Sequence, residues 1–258
     1  MIALSLRGVS KSFAASSGVI RALDGFSLDI PAGQFVVIVG PNGSGKSTLL
    51  NLIAGTEHLD SGTIRAVDKH GDFDWGALPA TDRSRRLSRV HQDPKRGSAS
   101  ELSVGEHLRL AELSHAPNPF LVALTAQRKA ALSEIIMGSA LQGRIDAAAG
   151  DLSGGQRQLL ALEMATARKT DLLLLDEPTA SLDRGNSALC LDRIEALQRE
   201  RSSTTVLVTH DLTAAARIGD RLIVLADGRV TADVAGPAKS ILKPEDVFRL
   251  SELQSGEL

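Results

Sequence analysis

The sequence predicts an α/β fold: a buried parallel sheet with helices on its faces, a short antiparallel β region ahead of it and a helical subdomain inserted into it. Three observations carry this expectation. Short buried-strand runs, apolar or nearly so, recur at Phe35–Val39, Leu172–Leu175, Val206–Thr209 and Leu222–Leu225, each followed by a glycine or polar turn. Runs apolar at every position suit strands covered on both faces, whereas one-sided strands alternate. Segments of helical period separate these runs, an alternation that builds parallel sheets. From about 94 to 167 the rhythm breaks, because Glu101–Ser114 and Thr125–Gln142 are helical in period with no convincing strand between them.

Taken in order, Ile2, Leu4 and Leu6 share one face of the first segment, and Phe26, Leu28 and Ile30 precede a Pro31-Ala32-Gly33 turn. Alternation of this kind marks antiparallel strands. Phe35–Val39 then feeds a glycine loop and a helix over Lys46–Ala54, closed by Gly55 at the C-cap. A further helix is expected over Arg157–Arg168, and a helix-like appendage around Pro244–Leu253. The expected organisation is one domain over 1–236, with a core at 1–93 and 168–236, a helical insert at 94–167 and an appendage at 237–258.

Composition narrows the function classes. The chain has 258 residues, 43% of them apolar and 23% charged, as in ordinary globular proteins. Its charge of −2 and pI near 6.3 provide no basic footprint, which argues against nucleic acid as a partner. The one cysteine, Cys190, falls in line with Ile194 and Leu197 on a helix and reads as a core residue needing no oxidising compartment. The first residues alternate like a strand and lack the pattern of a signal peptide. No apolar run approaches the roughly 18 residues that cross a bilayer, so a cytoplasmic location is expected. Six Phe, one Trp and no Tyr leave few candidates for an aromatic platform.

Gly40-Pro41-Asn42-Gly43-Ser44-Gly45-Lys46-Ser47 fits the phosphate-loop pattern and lies between a buried strand and a helix, the context its mechanism requires. The cradle runs from Gly40 and Asn42 through Gly43, Ser44, Gly45, Lys46 and Ser47 to Thr48. Glycines let consecutive N–H groups converge on phosphate oxygens at the positive end of the helix dipole. Lys46 adds a charge toward the β/γ-phosphates, and the Ser47 hydroxyl suits Mg²⁺, which accepts few protein ligands.

The run Leu172–Leu175 ends in Asp176-Glu177, placing two carboxylates at the carboxyl edge of the sheet, where ligands bind. Successive strand residues point opposite ways, so the acids take different tasks: Asp176 near the Mg²⁺ shell, Glu177 toward the attacking water. Leu152-Ser153-Gly154-Gly155-Gln156 precedes the apolar-periodic helix expected over Arg157–Arg168. That stretch reads as a capped helix start and also as an anion site.

With Gln92, Ala180-Ser181-Leu182-Asp183 and Thr209-His210-Asp211 added in order, the chain resembles an ATP-binding cassette (ABC) ATPase over nearly its whole length. The resemblance implies a P-loop NTPase fold with a RecA-like parallel-sheet core, an N-terminal antiparallel β subdomain and an inserted helical subdomain. It implies ATP and Mg²⁺ as cofactors and a head-to-tail dimer with a second copy. Ser153, Gly154, Gly155 and Gln156 of one copy would face the partner's γ-phosphate. It also implies that His210 holds the γ-phosphate and water, that Gln92 reaches Mg²⁺ and the water, and that Asp183 communicates across the dimer. Glu177, His210, Gln92 and Lys46 are the catalytic candidates, and Ser47, Gln92 and Asp176 the metal candidates. The family stacks adenine on an aromatic residue just after the first strand, and in Val9-Ser10-Lys11-Ser12-Phe13 the matching position is Phe13.

The family mostly drives separate membrane permeases, expected here to dock near Gln92–Ser103 on the helical insert, with the chain peripheral on the cytoplasmic side. RALDGFSLDI, RVHQDPKRGSA and LLLLDEPTASLD are similar to a bacterial uptake subgroup associated with a solute-binding lipoprotein, some members of which are assigned to tryptophan or tyrosine. His91 and Arg184 depart from the usual aromatic residue and proline. Export, and a non-transport role such as iron–sulfur assembly, stay open as alternatives. A GTPase is disfavoured by the intact LSGGQ and by the lack of an Asn-Lys-x-Asp motif.

Overall fold

A computed structural model describes residues 1–16, 18–93, 97–113, 124–180, 182–201 and 203–252. They divide into two compact units. The first comprises Met1–Leu87, Thr170–Asp176 and the described residues from Gln198 onward; the second comprises those within Ser88–Lys169 and Glu177–Leu197. The second is wider than the helical insert expected at 94–167.

In the first unit, strands β1 (Ala3–Ala15) and β2 (Gly18–Ile30) pair antiparallel, with Leu4 opposite Ile30 and Leu6 opposite Leu28. Strand β3 (Phe35–Val39) is buried throughout and leads through the glycine loop to helix α1 (Lys46–Ala54). Gly55 caps α1 in the left-handed conformation, as expected of a glycine at the C-cap. Strands β4 (Ser61–Asp68) and β5 (Gly71–Asp74) extend the antiparallel sheet to the order β2-β1-β4-β5. The sequence reading did not anticipate this pair, because only Ile64 and Ala66 of β4 are buried and the alternation is faint.

Helix α2 (Ala80–Ser84) carries Arg83, a buried arginine that donates to the carbonyls of Leu52 at 2.7 Å, Gly76 at 2.6 Å and Leu78 at 2.9 Å. The indole of Trp75 donates to Ile53 O at 2.8 Å. Together they supply further donors to carbonyls at the end of α1, where Leu52 O otherwise accepts the capping N–H of Gly55 at 3.3 Å. Arg83→Ala strands buried acceptors, so it should lower unfolding free energy by about 2–4 kcal/mol. Urea denaturation checks this, and a loss below about 0.5 kcal/mol would refute it.

The second unit holds most of strand β6 (Leu87–Val90) and helices α3 (Val104–Leu113), α4 (Ala126–Ile135) and α5 (Gly154–Thr166). The boundaries differ from expectation for local reasons. Ser103 and Glu106 form reciprocal caps at 3.2 and 2.7 Å, so α3 starts at Val104 and not at Glu101. Thr125 caps α4, which stops at Ile135 ahead of Gly138, a left-handed glycine. Ser114 and Leu253, the expected ends of two segments, lie outside the described residues. His107 is buried: one ring nitrogen accepts from Ala99 N and the other bonds Ser103 O, each at 2.9 Å, which ties the loop before α3 to the helix.

Strand β7 (Leu172–Asp176) belongs to the first unit, while helix α6 (Arg184–Arg201) contributes residues to 197 to the second. There, Arg193 forms a two-pronged pair with buried Glu163 of α5 at 3.0 and 3.2 Å, which ties this stretch of α6 to α5. Cys190, Ile194 and Leu197 are buried together as expected, and burial pushes the Cys190 thiol up to about 12, leaving it unreactive.

Strands β8 (Thr204–Val208), β9 (Arg221–Ala226) and β10 (Arg229–Ala235), with helix α7 (Leu212–Arg217), complete the first unit's sheet. Its strands run β10-β9-β3-β8-β7, all parallel except the edge strand β10, which folds back on β9 through a tight Asp227-Gly228 turn. Leu4, Leu6 and Phe26 of the antiparallel sheet share one buried cluster with Leu49 and Ile53 of α1 and with Ile38, Leu174 and Val206 of the parallel sheet. Helices α8 (Pro237–Ser240) and α9 (Pro244–Glu252) form the appendage, tied in by buried Lys239, which donates to Ala216 O and Ile218 O at 2.9 and 3.0 Å. No helix among the described residues is long and apolar enough to cross a membrane.

Candidate nucleotide-binding site

The first unit brings three strand ends together. In the β3-β8-β7 order, Ile38 and Asp176 both register against Val208, so Gly40, Asp176 and the Thr209-His210-Asp211 turn leave one carboxyl edge of the sheet. The loop between β3 and α1 depends on glycine. Gly40, Gly43 and Gly45 have φ of 155°, 82° and 100°. A Cβ on Gly40 would lie 2.0 Å from Leu225 O, and one on Gly45 would lie 2.2 Å from Ala22 O. Neighbouring strands thus press the backbone into its cradle. Gly45 is the N-cap of α1 and offers no side-chain acceptor, and no acid occupies the first turn. The leading N–H groups, with the helix dipole behind them, are therefore suited to receive an anion.

Lys46 is buried and donates to Gly40 O and Pro41 O, each at 2.7 Å, which holds its ammonium inside the cradle. Asn42 and Gly43 are exposed on the loop, Ser44 is buried, and Thr48 is half-buried one turn into α1. Ser47 donates from Oγ to Asp176 Oδ1 at 3.3 Å, with Asp176 buried at the end of β7. A hydroxyl and a carboxylate so placed form a hard oxygen donor set, which fits a small divalent cation that keeps most of its water. His210 is exposed between β8 and α7, and Asp211 caps α7 by accepting from Thr213 N and Ala214 N at 2.9 and 3.0 Å. Phe13 is half-buried and lies within β1, which continues to Ala15, so the expected position after the first strand is corrected to one inside it.

The second unit holds the other candidates. Glu177 follows Asp176 with φ of 48°, a left-handed conformation rare for a side chain of this kind and costly unless the surroundings impose it. Gln92 Nε2 donates to Glu177 Oε2 at 3.2 Å, which joins the two groups expected to handle the water. Ser153 caps α5 in a reciprocal box with Gln156: Ser153 Oγ accepts from Gln156 N at 3.2 Å, and Gln156 Oε1 accepts from Ser153 N at 3.1 Å. Gln156 Nε2 also donates to Ala140 O at 3.0 Å, so this side chain is engaged within its own unit. Gly154 is exposed with open space where a Cβ would project, whereas a Cβ on Gly155 would lie 2.8 Å from Leu182 Cδ2. Asp183 accepts from Asn186 N at 2.9 Å at the start of α6, and that backbone N–H holds its carboxyl below the ordinary range. Ser181 lies outside the described residues.

Lys11 and Asp60 carry no role legible from local sequence, yet the structure links both to the segment carrying Phe13. Lys11 stands two residues before Phe13 on one strand, a signal of proximity alone, and Asp60 enters from a distant loop.

A phosphate loop with a strand-end acid facing its Ser47, on a parallel sheet, defines a P-loop nucleotide hydrolase. The family described as ABC transporter matches residues 23–180. This chain belongs to that family and is an ATPase whose hydrolysis is coupled to transport. It is 36% identical over 252 residues to the tyrosine transport ATP-binding protein of Clostridioides difficile, covering 96% of this chain and 98% of that one. It is 38% identical over 210 residues to a thiamine import ATP-binding protein of Chelativorans sp., covering 81% and 80%. Among solved structures, it is similar to the dimeric structure of a bacterial ABC transporter cassette, at TM-score 0.75 and 28% identity, covering 90% of this chain and 98% of that one.

Proposed function

We propose that this ATPase powers solute import by pairing head to tail with a second copy around two ATP molecules and driving a separate membrane permease. The observation that carries the reading is a phosphate loop on the same chain as an exposed, capped helix N-terminus at Ser153-Gly154. Relatives named for tyrosine transport and thiamine import favour uptake. A solved cassette described as a dimer bound to ADP and Pi, at TM-score 0.74 and 28% identity, supports the pairing.

In this mechanism the loop from Gly40 to Thr48 binds the phosphates and Lys46 neutralises them. Ser47 and Asp176 would hold Mg²⁺, which would supply positive charge against that of the phosphates; the family resemblance assigns Gln92 to the same ion. Glu177 takes a proton from the attacking water, Gln92 orients that carboxylate, and His210 holds the γ-phosphate. Ser153 and the N–H groups of Gly154 and Gly155 meet the partner's nucleotide. Gln156 keeps Ser153 in place, and Asp183 orders the start of α6 at the dimer contact. Phe13 stacks the base.

The permease docks near Gln92–Ser103, of which 94–96 lie outside the described residues, beside a groove of about 260 Å³ in the second unit lined by Val90, His91, Gly97, Ala111, Ala161 and Met164. A short amphipathic helix fits an apolar recess of this kind. The chain is then peripheral on the cytoplasmic face of the membrane, with a solute-binding lipoprotein completing the system. Purification of tagged protein from gently solubilised membranes is expected to bring down a permease together with such a lipoprotein. Recovery with a soluble scaffold in place of any membrane protein overturns the reading.

A further inference from the structure

Phe13 pairs with Ile20 across the β1–β2 ladder, but this ladder is irregular just before it, with register shifts between Val9 and Lys11 and again between Lys11 and Ser12. From Ser12 to Ala15 the pairing is regular, so the ladder sets the face of the sheet from which Phe13 projects, and its neighbours set the tilt of the ring. A polar cluster reaches the same spot. Lys11 Nζ lies over the Phe13 ring, 5.2 Å from its centroid. The same ammonium is 3.3 Å from Asp60 Oδ1 and 3.8 Å from Glu57 Oε2, and the Lys11 side chain is only 13% exposed. Asp60 also grips the strand's backbone: its Oδ2 accepts from Ser12 N at 2.7 Å, and its own N–H donates to Ser10 O at 2.9 Å.

We propose that Lys11 and Asp60 are positioning residues that clamp Phe13 as the base-stacking platform and fix its distance from the phosphate loop. The inference rests on the reading that Phe13 stacks the base. A cation over an aromatic face, itself held by two carboxylates, fixes the ring against tilting. Glu57 and Asp60 lie on the segment that leaves α1, the helix that begins at the phosphate loop. The clamp thus ties one end of the nucleotide site to the other through a single helix. A nucleotide held at both base and phosphates gains affinity only when the two contacts keep a fixed spacing, because misplacement by about 1 Å is costly.

The test measures KM and kcat for ATP in Lys11→Met, Lys11→Arg, Asp60→Asn and Phe13→Ala, with inorganic tripolyphosphate as a competitor that lacks a base. Asp72→Asn, which breaks the exposed Arg65 pair on the same sheet, is the control. Lys11→Met and Asp60→Asn should each raise KM by about threefold to tenfold, more than either lowers kcat, with Lys11→Arg restoring most of the affinity. Tripolyphosphate should compete equally well with all of them. Melting temperatures identify any variant that folds poorly, and Asp60→Asn stands in if Lys11→Met does. If Phe13→Ala raises KM while both clamp variants stay within twofold of wild type, the clamp is overturned and the stacking reading survives. Parallel loss of tripolyphosphate affinity also overturns it, by showing general damage to the site. If Phe13→Ala leaves KM unchanged, the stacking reading fails and the clamp falls with it.

Discussion

Glu177→Gln is expected to lower steady-state ATP turnover by about 10²- to 10⁴-fold, the usual worth of a positioned general base, while leaving ATP affinity within a few-fold of wild type. The substitution keeps the size of the side chain and an acceptor for the Gln92 amide, which stands 3.2 Å from the carboxylate. It removes only the capacity to accept a proton. The left-handed backbone at Glu177, φ of 48°, is demanded by the turn out of β7 and is shared by the variant, so loss of fold does not explain loss of rate. Phosphate release under saturating ATP, with equilibrium binding measured in parallel, separates the effects. Turnover within about threefold of wild type would remove Glu177 from the role of base.

Gly45→Ala should weaken ATP binding by more than about tenfold and lower stability by about 2–4 kcal/mol, the cost of a strained φ plus a forced backbone shift. The added methyl would sit 2.2 Å from Ala22 O and 2.9 Å from Leu23 Cδ2, and Ala22 belongs to a strand that cannot retreat without disturbing the antiparallel sheet. Gly43→Ala provides the contrast. Its φ of 82° is also left-handed, but nothing lies within 4 Å of the new methyl. That variant should lose only the strain, about 1–2 kcal/mol. Calorimetric titration with ATP and urea unfolding of both proteins decide the matter. Equal losses in the two would show that close approach to Ala22 has no part in shaping the loop.

Much of the architecture was legible because its signals are local. Four leucines and two acids in a row define a buried strand that ends at a ligand edge, and β7 runs Leu172–Asp176. Leu152-Ser153-Gly154-Gly155-Gln156 reads as a capped helix start, and both hydrogen bonds of the box form, though α5 begins at Gly154, ahead of the expected Arg157, and ends at Thr166. The weakly patterned pieces were missed: β4 and β5 bury too few residues to alternate clearly, and β10 is an edge strand with mixed burial. Helix ends shifted wherever a cap such as Ser103 with Glu106, or a stop such as Gly138, lay inside a longer stretch of helical period.

The sequence alone determined the family, the order of its strongly patterned elements and the chemical identity of nearly every candidate group, because a phosphate loop, an acidic strand end and LSGGQ are contiguous words whose physics is local. Only the tertiary structure decided which groups meet. Ser47 faces Asp176 across 129 positions of chain, Gln92 reaches Glu177 across 85, and Asp60 comes to Lys11 across 49. Strand order and loop path set those approaches, and neither is encoded in the residues within a few positions of the groups they join.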